Sequence, residues 1–86
     1  MMKVRKPTPA EIANAKNWGI WTKEPSVFPW HYETKETCYI LDGKAEVSDE
    51  KGNTIVFQSG DWVEFEKGLT CTWNVVDTIR KHYHFS

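Results

Sequence analysis

From residue 18 onward, apolar and polar residues alternate with a period of two, in short segments that end at glycine, aspartate, asparagine or proline. Such alternation is typical of β-strands with one buried face, and the residues between the segments favour turns. Asp42 and Gly43, for example, are expected to form a tight turn between two strands. The pattern predicts eight strands, over residues 18–23, 28–33, 36–41, 44–48, 54–57, 62–65, 69–76 and 79–85.

The same period assigns side chains to the two faces of each strand. Four strands carry sets that are expected to point inward, namely Phe28, Trp30 and Tyr32; Glu36, Cys38 and Ile40; Leu69, Cys71, Trp73 and Val75; and Ile79, Lys81, Tyr83 and Phe85. Short strands joined by turns, with little helix, indicate a sandwich or barrel of jelly-roll type.

One short helix is predicted before the strands. Thr8 stands at an N-cap position, Pro9 at the first helical position and Glu11 at the third, which together form a capping box. The helix is expected to end near Asn17 and to cover an end or edge of the barrel.

The length of 86 residues limits the chain to one domain, since a chain this short cannot support two cores. Five tryptophans and a hydrophobic fraction of 40% supply the burial that the length does not. We expect an N-terminal arm and helix over residues 1–17 and a β-barrel over residues 18–86.

Charge and hydropathy exclude two classes of partner. Eleven basic and twelve acidic residues give a formal charge of -1, which provides neither a basic groove for nucleic acid nor attraction to anionic lipid. No apolar run approaches the roughly 18 residues of a spanning helix, and the first residues lack the apolar stretch of a signal peptide. With only two cysteines, the sequence favours a reducing compartment. We expect the cytoplasm, or an organelle if a leader has been removed.

Two stretches share spacings with a known superfamily. Six residues separate Glu36 from Gly43, and glycines at 60 and 68 precede Cys71 at fixed intervals. These stretches resemble the two conserved blocks of the cupins, G-x5-H-x-H-x3,4-E-x6-G and G-x5-P-x-G-x2-H-x3-N. The resemblance implies an all-β, single-domain cupin jelly-roll barrel with one short N-terminal helix, and a homodimer, since cupins commonly pair through a sheet face.

Three segments narrow the resemblance within the superfamily. Residues 36–43, 67–73 and 79–83 are most similar to the small single-domain cupins grouped with (S)-ureidoglycine aminohydrolase. For an enzyme of that group the resemblance suggests hydrolysis or isomerisation. That aminohydrolase has two cupin domains and depends on a metal ion, whereas this chain has one domain.

The resemblance also points to positions for a divalent transition metal. They fall on Glu36 and Cys71, together with either His31 or the pair Trp30 and Tyr32. His31, Glu36 and Cys71 are competent donors, and three protein ligands with an open position are usual for catalytic zinc. However, His31 lies on the strand face opposite Trp30 and Tyr32, which are the more natural inward pair, so the pattern favours a barrel without a metal.

Other polar residues have two interpretations each. Lys81 shares a face with apolar residues, so it should form an ion pair with Glu36 or Glu64, or bind a ligand carboxylate. Cys38 and Cys71 are either a reactive thiol pair or two small buried hydrophobes, and the latter is commoner. A further pair, His82 and His84, forms a binding stripe or, as we expect, solvated surface.

Two functional hypotheses follow. The first is a small-molecule-binding cupin for a compact, carboxylate-bearing metabolite, with Glu36 as the candidate general base and Lys81 as the carboxylate anchor. Its ligand-binding residues would be Trp30, Tyr32, Glu36, Cys71, Trp73 and Lys81. The alternative is a non-catalytic binding or regulatory module, or a dimeric scaffold.

Overall fold

Two long antiparallel strands, β4 (Glu36–Asp49) and β7 (Thr70–Phe85), form the centre of the fold and pair along most of their length. The computed structural model describes residues 1–86. The remaining elements are β1 (Met2–Arg5), α1 (Pro9–Ala15), β2 (Gly19–Lys23), β3 (Ser26–His31), β5 (Thr54–Gln58) and β6 (Trp62–Phe65). The prediction of an all-β chain with one short helix is confirmed.

The long strands divide their length between two sheets. The first half of β4 pairs with β6 and with the second half of β7, and β1 and β2 form the edges of this sheet. The second half of β4 pairs with β5, and the first half of β7 pairs with β3. All of these pairings are antiparallel. The result is two sheets, β1-β6-β4-β7-β2 and β5-β4-β7-β3, that share their central strands.

The change from one sheet to the other takes place at Gly43. The pairing of β4 with β7 shifts register three times between Ile40 and Ala45, and Gly43 has a φ of 92°. A Cβ at Gly43 would lie 2.2 Å from the carbonyl oxygen of Thr78, so only glycine allows this approach. The predicted tight turn at Asp42 and Gly43 is therefore wrong, because a positive-φ glycine serves a β-bulge as well as a turn.

Two mergers reduce the eight predicted strands to six, and the unpredicted β1 is the seventh. The predicted strands at 36–41 and 44–48 are one strand, and so are those at 69–76 and 79–85. The strand predicted at 62–65 has the predicted bounds. The sequence pattern did not indicate β1, which pairs with β6 from Met2 to Arg5.

The N-terminal helix has the predicted start. The Thr8 hydroxyl accepts a hydrogen bond from the Glu11 backbone N–H at 3.2 Å, and the Glu11 carboxylate accepts one from the Thr8 N–H at 2.9 Å. Arg5 adds a bidentate pair with Glu11, at 2.8 and 2.6 Å. The helix ends at Ala15, slightly earlier than predicted, and Ala15 is its buried residue. The chain contains no helix with the length and apolar character needed to cross a bilayer.

The core lies between the two sheets and consists of thirteen buried residues. Most members of the predicted inward sets are buried, including Tyr32, Cys38, Ile40, Leu69, Cys71, Trp73, Val75 and Ile79. Trp30 and Phe85 are exceptions, since they are 48% and 47% exposed although they continue inward-facing sets. Both lie near strand ends, where the sheets leave an opening.

Candidate functional site

A pocket of about 210 Å³ lies between the edges of the two sheets, where β2 and β3 both pair with β7. Seven of its nine lining residues are aromatic, and the other two carry opposite charges. We call it the aromatic pocket, lined by Trp21, Phe28, Trp30, Tyr32, Glu36, Trp73, Lys81, Tyr83 and Phe85. Five of the six predicted ligand-binding residues line it, and the sixth, Cys71, does not.

The two charged residues form a buried ion pair. The Nζ atom of Lys81 lies 2.8 Å from Oε2 of Glu36, and the side chains are 6% and 4% exposed. Of the two carboxylate partners predicted for Lys81, the structure selects Glu36, because Glu64 pairs instead with Lys35 at 3.1 Å. Glu36 supplies the only oxygen that accepts from the Lys81 ammonium, and the Cys38 thiol also lies close to it, so at least one of the three N–H donors has no protein partner.

Two indole rings enclose the ammonium group. Lys81 Nζ lies 4.7 Å from the ring centroid of Trp21 and 4.6 Å from that of Trp73. These distances are within the range of cation–π attraction, which strengthens when the cation is removed from water. Trp21 is directly opposite Lys81 in the β2–β7 register. The ammonium is thus stabilised by a carboxylate and by two aromatic faces.

The second oxygen of Glu36 is also held. The Tyr32 hydroxyl donates to Oε1 of Glu36 at 2.7 Å. Burial and the neighbouring carboxylate raise the pKa of the Tyr32 phenol far above its usual value, so it remains a hydrogen-bond donor. Tyr32 is fixed in turn by backbone hydrogen bonds with Gly68 and Leu69 and by stacking on Phe65 at 5.0 Å.

The mouth of the pocket is aromatic and partly open to solvent. Trp30 and Phe85 are its exposed members, and Tyr83 packs against Phe85 with ring centroids 5.7 Å apart. Gly19 makes room for Tyr83, because a Cβ there would lie 2.8 Å from the tyrosine ring. The exposed rings of Trp30 and Phe85 therefore mark the side of the pocket that faces solvent.

Four lining residues were not predicted as site residues, namely Trp21, Phe28, Tyr83 and Phe85. The last three belong to inward-facing sets, so strand alternation could have identified them. Trp21 lies on an edge strand whose register with β7 the sequence does not specify. Its position opposite Lys81 follows only from the observed pairing.

The predicted metal ligands are not brought together. His31 is exposed and its Nδ1 lies 2.7 Å from the Thr70 hydroxyl, while both oxygens of Glu36 are hydrogen-bonded. The Cys71 thiol donates to the carbonyl of Trp30 at 3.6 Å, and burial raises its pKa to about 11. No group of three or more histidine, cysteine, aspartate or glutamate side chains could hold a metal ion. The donors present do not fit a metal site.

The remaining cysteine and histidine predictions have different outcomes. Cys38 and Cys71 are both buried and free, as expected of small hydrophobes, and burial raises the pKa of the Cys38 thiol. His84 is exposed as predicted. The prediction that His82 is also solvated is wrong, since it is 8% exposed and its Nδ1 has no partner. On the same face of the sheet, Trp18 in the segment after α1 stacks on His84, with ring centroids 5.4 Å apart.

Comparisons with known proteins agree with this architecture. The family model described as the EutQ-like cupin domain matches residues 11–83. A DUF861 family protein of Thermotoga maritima has a similar structure, with 48% identity, a TM-score of 0.96 and full coverage of both chains. The comparison with curated protein sequences gives no match.

More distant solved structures share the fold. The putative ethanolamine utilization protein Q of Salmonella typhimurium is 20% identical, with a TM-score of 0.71 over 98% of this chain and 68% of that one. The EutQ protein of Clostridium difficile is also 20% identical, with a TM-score of 0.72 over 98% and 66%. The predicted cupin fold is confirmed, and the chain belongs to the EutQ-like cupin family.

Proposed function

We propose that this protein binds a compact small molecule in the aromatic pocket. The observation that carries the proposal is the ion pair of Glu36 and Lys81 at the base of a pocket whose other walls are aromatic. A buried ion pair does not generally add stability, because the loss of hydration offsets the attraction between the charges. An apolar pocket with a few polar groups is, in contrast, the usual form of a ligand site.

Lys81 would anchor the ligand. Its ammonium has at least one N–H donor without a protein acceptor, which can donate to an oxygen of the ligand. The metabolite predicted from the sequence carries a carboxylate, and either a carboxylate or an uncharged carbonyl group would supply such an oxygen. Trp30 and Phe28 would then cover the apolar part of the ligand.

Binding is better supported than catalysis. The resemblance to (S)-ureidoglycine aminohydrolase suggests hydrolysis or isomerisation, with Glu36 as general base. However, both oxygens of Glu36 are already engaged, since they accept hydrogen bonds from Tyr32 and Lys81. A cytoplasmic location, as predicted from the sequence, is consistent with a role in binding metabolites.

A screen of single-ring and short-chain metabolites, read by thermal shift and confirmed by calorimetry, tests the proposal. Trp30→Ala should weaken every confirmed ligand at least tenfold. Ile20→Ala is the matched control, because Ile20 is 55% exposed, as Trp30 is 48% exposed, and lies outside the pocket. Absence of any ligand from the whole screen, or equal loss in both variants, would refute binding in the pocket.

The second candidate is a dimeric scaffold, and one row of residues favours it. Val56, Glu46, Asn74 and Val27 lie opposite one another across the four strands of the sheet β5-β4-β7-β3. Val27 and Val56 are 68% and 48% exposed. We propose that this outer face forms a homodimer. Sedimentation velocity should give a dimer for the wild type and a monomer for Val27→Lys, and a monomeric wild type would contradict it.

A further inference from the structure

The aromatic pocket has no net charge of its own. Lys81 and Glu36 are its only charged lining residues, and their 2.8 Å contact neutralises both. The pair is almost entirely shielded from water, so its charges are little screened. Both Lys81 and Glu36 would therefore interact strongly with a charged group on a nearby ligand.

Neither sign of ligand charge is well accommodated. A ligand carboxylate close enough to accept from Lys81 would lie beside Glu36, leaving one buried negative charge without a partner. A ligand cation would need a cage of aromatic faces, but the Lys81 ammonium already lies between Trp21 and Trp73, 4.6 to 4.7 Å from their centroids. The charges of the pocket thus favour an uncharged ligand.

The walls favour a flat and small ligand. Aromatic side chains attract other planar groups in offset-stacked or edge-to-face arrangements. The volume of about 210 Å³ lies below the roughly 300 Å³ at which pockets for drug-sized ligands begin. A single planar ring with one small substituent matches these limits.

The polar groups favour an amide. Lys81 offers an N–H donor that Glu36 does not use, whereas the Tyr32 hydroxyl is already engaged by Glu36 and Trp73. Each oxygen of Glu36 can also accept a further hydrogen bond. Donor and acceptor groups side by side are complementary to a carbonyl group next to an N–H, which is the edge of a carboxamide or lactam.

We infer that the aromatic pocket selects uncharged, planar, single-ring ligands with a carboxamide or lactam edge over the corresponding carboxylates. This inference rests on the proposed function, and it revises the carboxylate that the sequence predicted. The carbonyl oxygen accepts from Lys81, the N–H donates towards Glu36, and the ring packs against the aromatic walls.

Calorimetry with three probes of similar size tests the inference at neutral pH, using nicotinamide, nicotinate and phenyltrimethylammonium. We expect nicotinamide to bind at least tenfold more tightly than either charged probe. Equal or tighter binding of nicotinate or of the cation would overturn the inference and leave the proposed function standing. Failure of all three probes would also overturn it, and failure of every compound in the wider screen would overturn the proposed function as well.

A charge variant gives an independent readout. Glu36→Gln keeps a similar shape but leaves the Lys81 charge unpaired, so the ratio of nicotinate to nicotinamide affinity should rise at least tenfold. Glu64→Gln removes the same charge outside the pocket, where Glu64 pairs with Lys35, and should leave the ratio unchanged. If the ratio of nicotinate to nicotinamide affinity rose in both variants, or in neither, the result would contradict selection by the ion pair. If Glu36→Gln does not fold, the affinities of the wild-type protein for the three probes still test the inference.

Discussion

Glu36 and Lys81 are 45 residues apart in the chain, yet their side chains form a 2.8 Å ion pair that is almost completely removed from water. The pairing depends on the antiparallel register of β4 and β7, which places Ile40 opposite Lys81 and Glu36 opposite Phe85. Both side chains point into the space between the sheets. The site is therefore a direct product of the central strand pair.

Removing one member of the pair should strongly destabilise the protein. Lys81→Met leaves Glu36 with Tyr32 as its only partner, and we expect a loss of about 3–5 kcal/mol in the free energy of unfolding, measured with urea. Arg80→Met is the control, because the Arg80–Asp42 pair is 50% and 62% exposed and should cost less than about 1 kcal/mol. Similar losses in both variants would show that the buried pair has no special role.

The Tyr32 hydroxyl should contribute through its bond to Glu36. Tyr32→Phe keeps the stacking on Phe65 but removes the donor at 2.7 Å, and should cost about 1.5–3 kcal/mol in urea unfolding. Tyr39→Phe serves as a control, because the Tyr39 hydroxyl forms no hydrogen bond with another side chain or the backbone. It should change stability by less than about 0.5 kcal/mol. An unchanged free energy of unfolding in Tyr32→Phe would mean that Glu36 does not need this donor.

The bulge at Gly43 should tolerate no side chain. Gly43→Ala and Gly52→Ala both place alanine at positive φ, 92° and 84°, which costs about 1–2 kcal/mol. Only Gly43 adds a clash, since nothing lies within 4 Å of a Cβ at Gly52. Gly43→Ala should therefore destabilise clearly more than Gly52→Ala in thermal or urea unfolding. Equal losses of stability in the two variants would show that the positive φ alone, and not the clash at Gly43, causes the destabilisation.

The cysteines should be unreactive at neutral pH. Burial raises the pKa of the Cys71 thiol from 9.0 to about 11, and that of Cys38 is raised as well. Because the neutral thiols are favoured in the folded state, their contribution to stability is complete below pH 9 and is lost as the pH rises through 11. At pH 8.5, iodoacetamide should modify the folded protein far more slowly than the protein in urea. Rapid modification without urea would indicate accessible thiolates.

Local patterns in the sequence predicted much of the fold. The capping box at Thr8 and the strand Trp62–Phe65 depend only on neighbouring residues, and both are confirmed. Strand alternation also placed Lys81 inward and offered Glu36 as its partner. The turn at Gly43 was wrong because the same glycine conformation serves turns and bulges, and only the pairing with β7 distinguishes them.

The unpredicted part of the site depends on long-range register. Trp21 contacts Lys81 because β2 pairs with β7, and no local signal specifies that pairing. His82 was expected at the surface but is buried, on a sheet face where Trp18 from the segment after α1 stacks on His84. Packing between segments distant in sequence decided these positions.

The indole N–H resonances of the five tryptophans test binding in the aromatic pocket most directly. Trp21, Trp30 and Trp73 line the pocket, whereas Trp18 and Trp62 pack together outside it with centroids 5.4 Å apart. Titration of ¹⁵N-labelled protein with nicotinamide, or with a ligand from the screen, should shift the three pocket resonances and leave the other two unchanged. Shifts confined to Trp18 and Trp62, or no shift at saturating ligand, would contradict the proposed site.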